Sequence, residues 1–278
     1  MTEQTPHNRD KNYRIRKESS FLKALGVSND AGEIKPSMYN KYRQICRFIE
    51  IFMERIERTQ AIKQKRVKIL DIGSGKGYLT FAIYDQLTEA GLNPKIDGVD
   101  TRSEMVNLCN DAAELSGFGN LAFHNLKAED FFEGYYDAIV ALHACDTATD
   151  DALFYGIKSK SKLIVCAPCC QNEVLKDLQK SDAQNRKFIS HGLFLQKQAD
   201  IITDNSRVML LRSQGYQVDV IDFVSTEHTQ KNTLIAATRK SKPSREHVNE
   251  YENYKKSFGF DGIKLETLMR NEGLLGSK

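Results

Sequence analysis

The chain has 278 residues, 40% of them hydrophobic and 28% charged, with a net charge of +3. That length suits one catalytic-sized domain with additions and a substantial core, and no apolar run approaches the roughly 20 residues needed to cross a bilayer. Residues 1–17 are polar and basic with no signal-like apolar centre, so a cytoplasmic location is expected, with the six cysteines as reduced thiols.

Charge is unevenly spread. Through Lys68 there are sixteen Lys and Arg against eight Asp and Glu, which leaves a net −5 for the remainder. A basic front on a near-neutral body suits a polyanion such as RNA, while a solvated helix face and a disordered tail account for it equally well.

In chain order, residues 1–17 read as a flexible basic arm, and Phe21, Leu22, Leu25 and Val27 as a small helical or turn unit. Met38, Tyr42, Ile45, Ile49, Phe52 and Ile56 recur in steps of four and three, which predicts one long amphipathic helix with Ser37 as its N-cap. Its outward face would carry Lys41, Arg43, Arg47, Arg55 and Arg58.

Residues 67–79 read V-K-I-L-D-I-G-S-G-K-G-Y-L. A β-branched run ends in Asp71, three glycines follow, and Leu79, Ala82, Ile83, Gln86 and Leu87 then share a helical face. This is a strand, a tight turn and a helix, where backbone approaches a ligand closely and free N–H groups point at it. Lys76 is followed by glycine and tyrosine, so no hydroxyl is placed for the magnesium of a P-loop. The third glycine comes one residue too early for the dinucleotide fingerprint. An acid directly before the loop fits a ligand with cationic groups, and S-adenosylmethionine carries an ammonium and a sulfonium.

Strand-like and helix-like segments then alternate, which predicts a doubly wound parallel sheet. Further strands are expected at 95–100, 121–125, 136–142 and 163–167, with a helix between the first two marked by Met105, Leu108, Ala112 and Leu115 and closed by Gly117. Leu195, Ala199, Ile202 and Met209 mark a helix before two last strands at 218–224 and 233–238. Those two are too close for a crossover helix and must pair antiparallel. The predicted fold is α/β, a Rossmann-like class I methyltransferase sheet of seven strands with an antiparallel terminal hairpin. The expected division is residues 1–60 as a basic arm and helical extension, 61–240 as the cofactor-binding domain, and 241–278 as a polar, partly helical tail with no assigned role.

In such sheets ligands bind at the carboxyl ends of the strands. Asp71, Gly73, Ser74, Gly75, Gly77 and Tyr78 would serve the methionine end of the cofactor. Asp100, with Thr101 and Arg102 beside it, stands where a ribose-diol acceptor is expected, or is an ordinary turn acid. Ala128 and Glu129 are the adenine candidates, although Lys127 occupies the place where an acid is usual. After the fourth strand comes L-H-A-C-D-T-A-T-D-D, where His143 suits a general base, Asp146 would orient it, and Cys145 lies between them. Asp146, Thr147 and Asp150 also read as caps for a helix starting near Ala152.

The fifth strand ends in C-A-P-C-C-Q-N, which brings Cys169 and Cys170 toward His143 and Cys145. A zinc site lacks the usual knuckle spacing, and a nucleophile at Cys169 lies after a different strand from the usual one, so buried thiols are the simplest reading and no metal is expected. Glu227, His228, Lys231 and Asn232, between the last two strands, either touch substrate or form a polar hairpin loop.

Together, G-S-G-K-G-Y-L, L-H-A-C-D-T-A-T-D-D-A and C-A-P-C-C-Q resemble the bacterial branch of a class I methyltransferase family. That family includes the eukaryotic tRNA 2′-O-methyltransferase of the acceptor stem and proteins labelled ribosomal RNA adenine dimethylase-domain-containing. The resemblance covers residues 38–239 and implies the fold and the cofactor, carried by Asp71, Gly73, Gly75, Gly77, Asp100 and His143. It implies no substrate, and residues 1–40 show no tRNA-type zinc finger. The reading is an S-adenosylmethionine-dependent methyltransferase acting on RNA through its basic N-terminal region. A protein or small-molecule methyltransferase and a cofactor-binding pseudoenzyme are the alternatives.

Overall fold

A computed structural model describes residues 15–142, 147–168, 173–180, 191–222 and 233–275. Seven strands form one sheet in the order β3-β2-β1-β4-β5-β7-β6. They are β1 (Arg66–Ile72), β2 (Asn93–Val99), β3 (Leu121–His124), β4 (Ala138–Ala141), β5 (Leu163–Cys166), β6 (Tyr216–Asp222) and β7 (Thr233–Arg239). The first five run parallel, β7 enters antiparallel to β5, and β6 pairs antiparallel with β7. This is the predicted class I methyltransferase sheet with its terminal hairpin.

Alternation along the strands sends side chains to two cores. Ile69, Val140 and Val165 face one, while Leu70, Ile139 and Ile164 face the other. The first core also holds residues of α1 (Ser20–Ala24), α2 (Tyr39–Ile56), α3 (Tyr78–Glu89) and α4 (Ser103–Ser116). The second is covered by α6 (Thr147–Lys158), α7 (Glu173–Lys180), α8 (Gly192–Ser213), α9 (Arg245–Phe258) and α10 (Lys264–Asn271), and the short α5 (Ala128–Phe131) follows β3. No helix among the described residues is long and apolar enough to cross a membrane.

Several local expectations are corrected. A short 3-10 turn at Pro36–Met38 precedes α2, so Ser37 lies inside that turn and makes no side-chain cap. Proline's fixed φ favours this tighter start. The buried face of α4 is Val106, Cys109, Ala112 and Ala113, whereas Leu108 and Leu115 are exposed. A mixed small-residue face sits closer to α1 and β3 than the larger leucines would. Within the basic arm, Ile15 is buried and its carbonyl accepts from the Tyr42 hydroxyl at 2.8 Å, so the chain is docked from that point. The rest of the arm, residues 1–14, lies outside the described residues.

The stretch read as a polar tail buries Tyr251, Phe260, Ile263, Leu265, Met269 and Leu275 in the second core. Its polar composition comes from outward faces and from a buried cluster in which Glu266 accepts from Tyr251 at 2.6 Å, Lys255 at 2.7 Å and Arg270 at 2.8 Å.

Candidate active site

The order of the sheet reverses between β1 and β4, and the glycine turn leaves β1 beside that point. Gly73, Gly75 and Gly77 all have positive φ, at 72°, 56° and 67°. A Cβ on Gly77 would meet Phe81, Cys109 and Phe123 atoms at 3.1 Å, so the turn is closed by packing as well as by conformation.

The loop is held internally to a degree that its sequence does not reveal. Gly73 and Ser74 N–H groups donate to Val99 O at 2.9 and 3.1 Å, Gly77 N–H donates to Ser74 O at 2.9 Å, and Gly75 N–H donates to Asp100 Oδ2 at 2.9 Å. Four N–H groups of the turn, those of Gly73, Ser74, Gly75 and Gly77, are therefore spent within the protein. Ser74 Oγ, in contrast, is buried without a hydrogen-bond partner. A buried polar atom of this kind costs free energy while it lacks a partner.

Asp71 lies beneath the turn, buried, and its carboxylate accepts from the Thr80 hydroxyl at 2.5 Å. Burial pushes its carboxyl up to about 7; the Thr80 hydrogen bond opposes this and the charge of Asp100 adds to it. Asp100, at the end of β2, accepts from the Arg102 backbone, Arg102 Nε and Arg102 Nη2, each at 2.9 Å. Burial pulls Asp100 upward as the largest single influence, but the hydrogen bonds from Arg102 and Gly75 together hold it below the ordinary carboxylate range. Asp100 thus stays ionised at neutral pH.

A cleft of about 600 Å³ opens at these strand ends. Of the predicted residues, Gly73, Asp100, Thr101, Arg102, Ala128 and Glu129 line it, while Asp71, Ser74, Gly75, Gly77 and Tyr78 belong to the turn behind it and are not part of its wall. Sequence reasoning missed Ile72, Val99 and Leu126, apolar residues at or next to strand ends, and it missed Ala148 and Asp151 of α6 and Lys264 of α10. The apolar ones were signalled by position; Lys264 had no signal, since it starts a helix more than a hundred residues away.

The predicted acceptor residues His143, Cys145 and Asp146, the pair Cys169 and Cys170, and the loop residues Glu227, His228, Lys231 and Asn232 lie outside the described residues. The predicted caps fare differently. Helix α6 begins at Thr147, and Asp150 turns inward as a partner of Arg207, with Nε to Oδ1 at 2.8 Å and Nη2 to Oδ2 at 3.1 Å. Cys46, Cys109 and Cys166 are free and buried, and burial pushes the Cys166 thiol up to about 12, which removes it as a nucleophile. No group of metal-binding side chains occurs among the described residues.

Residues 40–177 match a family model described as Methyltransferase domain. The human glutathione S-transferase C-terminal domain-containing protein is 24% identical over 192 residues, covering 60% of this chain. The chain spans only 29% of that relative's length. Among solved structures, the magnesium protoporphyrin IX methyltransferase of Synechocystis with bound S-adenosylhomocysteine is similar at 14% identity and a TM-score of 0.44, covering 80% of this chain and 93% of that one. An rRNA methylase of Streptococcus thermophilus is similar at 9% identity and a TM-score of 0.43, covering 75% and 99%. With the seven-stranded sheet, the glycine turn and the ionised acid after β2 in place, residues 40–177 carry a methyltransferase domain of the class that uses S-adenosylmethionine.

Proposed function

We propose that this chain transfers a methyl group from S-adenosylmethionine to RNA. When bound, the cofactor supplies an electrophilic methyl on a sulfonium, and the residues of this chain hold it through the glycine turn and Asp100. The observation that carries an anionic acceptor is the convergence of Lys41 and Lys76 at the glycine-turn end of the site. Lys41 Nζ lies 5.7 Å from the centre of the Tyr78 ring, and burial, then the charge of Lys76, lowers its pKa. The Lys41 ammonium donates to Gln44 Oε1 at 2.8 Å, and no ion pair joins either lysine to a carboxylate among the described residues. Two cations held together this way cost free energy that a phosphodiester anion offsets.

The grip is narrower than the sequence suggests. Arg47 pairs with Glu50, Arg58 with Glu54, and Arg55 with Asp219, so much of the basic face of α2 is neutralised within the protein. Lys41, exposed Arg43 and Lys76 stay available to a polyanion on this side of the site.

The deciding experiment follows labelled methyl into fractionated cell RNA, protein and small molecules. Label in RNA supports the proposal, and label confined to protein or small molecules overturns it. RNA binding should weaken steeply with salt, and Lys41→Ala or Lys76→Ala should each lower the slope of log affinity against log salt by about 0.7–0.9. His143→Ala and Asp146→Ala should abolish transfer while cofactor binding persists; intact transfer refutes their assignment to the acceptor.

A further inference from the structure

The position after β3 that should offer the cofactor's adenine a carboxylate holds Lys127, and the nearby Glu129 is a poor substitute. Their side chains are 67% and 64% exposed, and Lys127 Nζ lies 3.4 Å from Glu129 Oε1. A carboxylate so open to water gains little from accepting a further hydrogen bond.

The same cleft has a better acceptor on another wall. Asp151 of α6 lines it, as does Lys264 of α10, and both side chains are only 28% exposed. Lys264 Nζ lies 2.7 Å from Asp151 Oδ1 and 2.8 Å from Oδ2, so the ammonium spans both oxygens. A carboxylate has about four acceptor positions, and a lysine seated across both oxygens takes one on each. Lys264 is itself fixed: its backbone N–H donates to Glu173 Oε2 at 3.0 Å, and the next residue, Leu265, is fully buried.

We infer that Asp151, positioned by Lys264, accepts the exocyclic amino group of the cofactor's adenine, so that the C-terminal helices complete the base-recognition wall. This rests on the S-adenosylmethionine reading of the site. It gives the polar C-terminal stretch a role in binding, and it explains how a lysine is tolerated at 127, since the adenine carboxylate arrives from α6 instead. Lys264 acts through Asp151 and is a positioning residue.

The test compares S-adenosylhomocysteine with S-inosylhomocysteine, in which a carbonyl oxygen replaces the amino group, by calorimetric titration of the full chain. Wild type should prefer the adenine ligand by about 10- to 100-fold, the scale of a hydrogen bond to a charged group. Asp151→Asn should bring the ratio near one, because an amide serves either ligand. Lys264→Met should lower the ratio too, and Lys264→Arg should restore it, with melting temperatures showing that each variant is folded. Unchanged discrimination in Asp151→Asn, or in Lys264→Met if the aspartate variant does not fold, overturns the inference and leaves the cofactor reading standing. Wild-type protein that binds neither ligand overturns both.

Discussion

Thr80, in the first turn of α3, donates its hydroxyl to the buried carboxylate of Asp71 at the end of β1, tying the helix to the strand beneath the glycine turn. Burial nevertheless raises the Asp71 carboxyl to about 7, because no cation pairs with it among the described residues. A cationic ligand end arriving above the turn favours ionisation, so cofactor binding should release a proton near neutrality and tighten as pH rises from about 6 to 8. Titrations in buffers of different ionisation enthalpy measure this, and Asp71→Asn should abolish the release.

The same shift sets a stability trend of definite sign. An unfolded Asp titrates near about 3.9, so between there and about 7 the folded state binds more protons than the unfolded one, and stability falls with rising pH. The contribution is whole below the unfolded value and lost as pH passes the folded one. Urea midpoints of the cofactor-free protein should decline from pH 5 to 8 more steeply in wild type than in Asp71→Asn.

Two glycines in the first core should fail differently when substituted. Gly77→Ala meets both a positive φ of 67° and neighbours at 3.1 Å, and should cost about 1–3 kcal/mol while abolishing cofactor binding, since the turn must open. Gly98→Ala brings a methyl to 2.5 Å from Phe123 Cδ1, a purely steric conflict that Phe123→Leu should partly relieve. Thermal melts with and without S-adenosylhomocysteine separate the two.

Arg207 and Asp150 form an ion pair deep in the second core, with the arginine side chain 2% exposed. Burial works against the Arg207 charge, but Asp150 and Asp204 outweigh it and raise its pKa. Asp150→Ala should therefore cost about 3–5 kcal/mol by leaving the buried guanidinium with Asp204 alone, 3.1 Å from Nη1, and adding Arg207→Met should recover much of that loss. Denaturant unfolding of the two variants checks it, and equal losses would refute the stranded-charge account.

Leu265 tests whether the C-terminal helices belong to the core. Leu265→Ala removes a fully buried side chain and should cost about 2–5 kcal/mol, where a loose tail would cost nothing measurable. Urea midpoints give the answer directly.

Much of the fold was legible because it is locally encoded. The strand ending in Asp71, the glycines and the apolar face from Leu79 to Leu87 are contiguous, and the short link between the last strands forces their antiparallel pairing. Periodicity misjudged α4, since counting large apolar residues favoured Leu108 and Leu115, whereas the sheet accepted the smaller Cys109, Ala112 and Ala113. Asp150 read as a cap for the same kind of reason: side-chain type suggested a helix end, and a partner 57 residues away drew it into the core.

By itself, the sequence determined the sheet, the glycine turn after β1 and the acid after β2, because glycine spacing and strand alternation act over a few residues. Only the tertiary structure decided that Asp151 and Lys264, 113 residues apart, meet on one wall of the cleft. It also decided that the N–H groups of Gly73, Ser74, Gly75 and Gly77 are already spent on Val99, Ser74 and Asp100. Such polar pairings follow from chain closure across the sheet, and isolated charged residues carry no periodic signal to announce them.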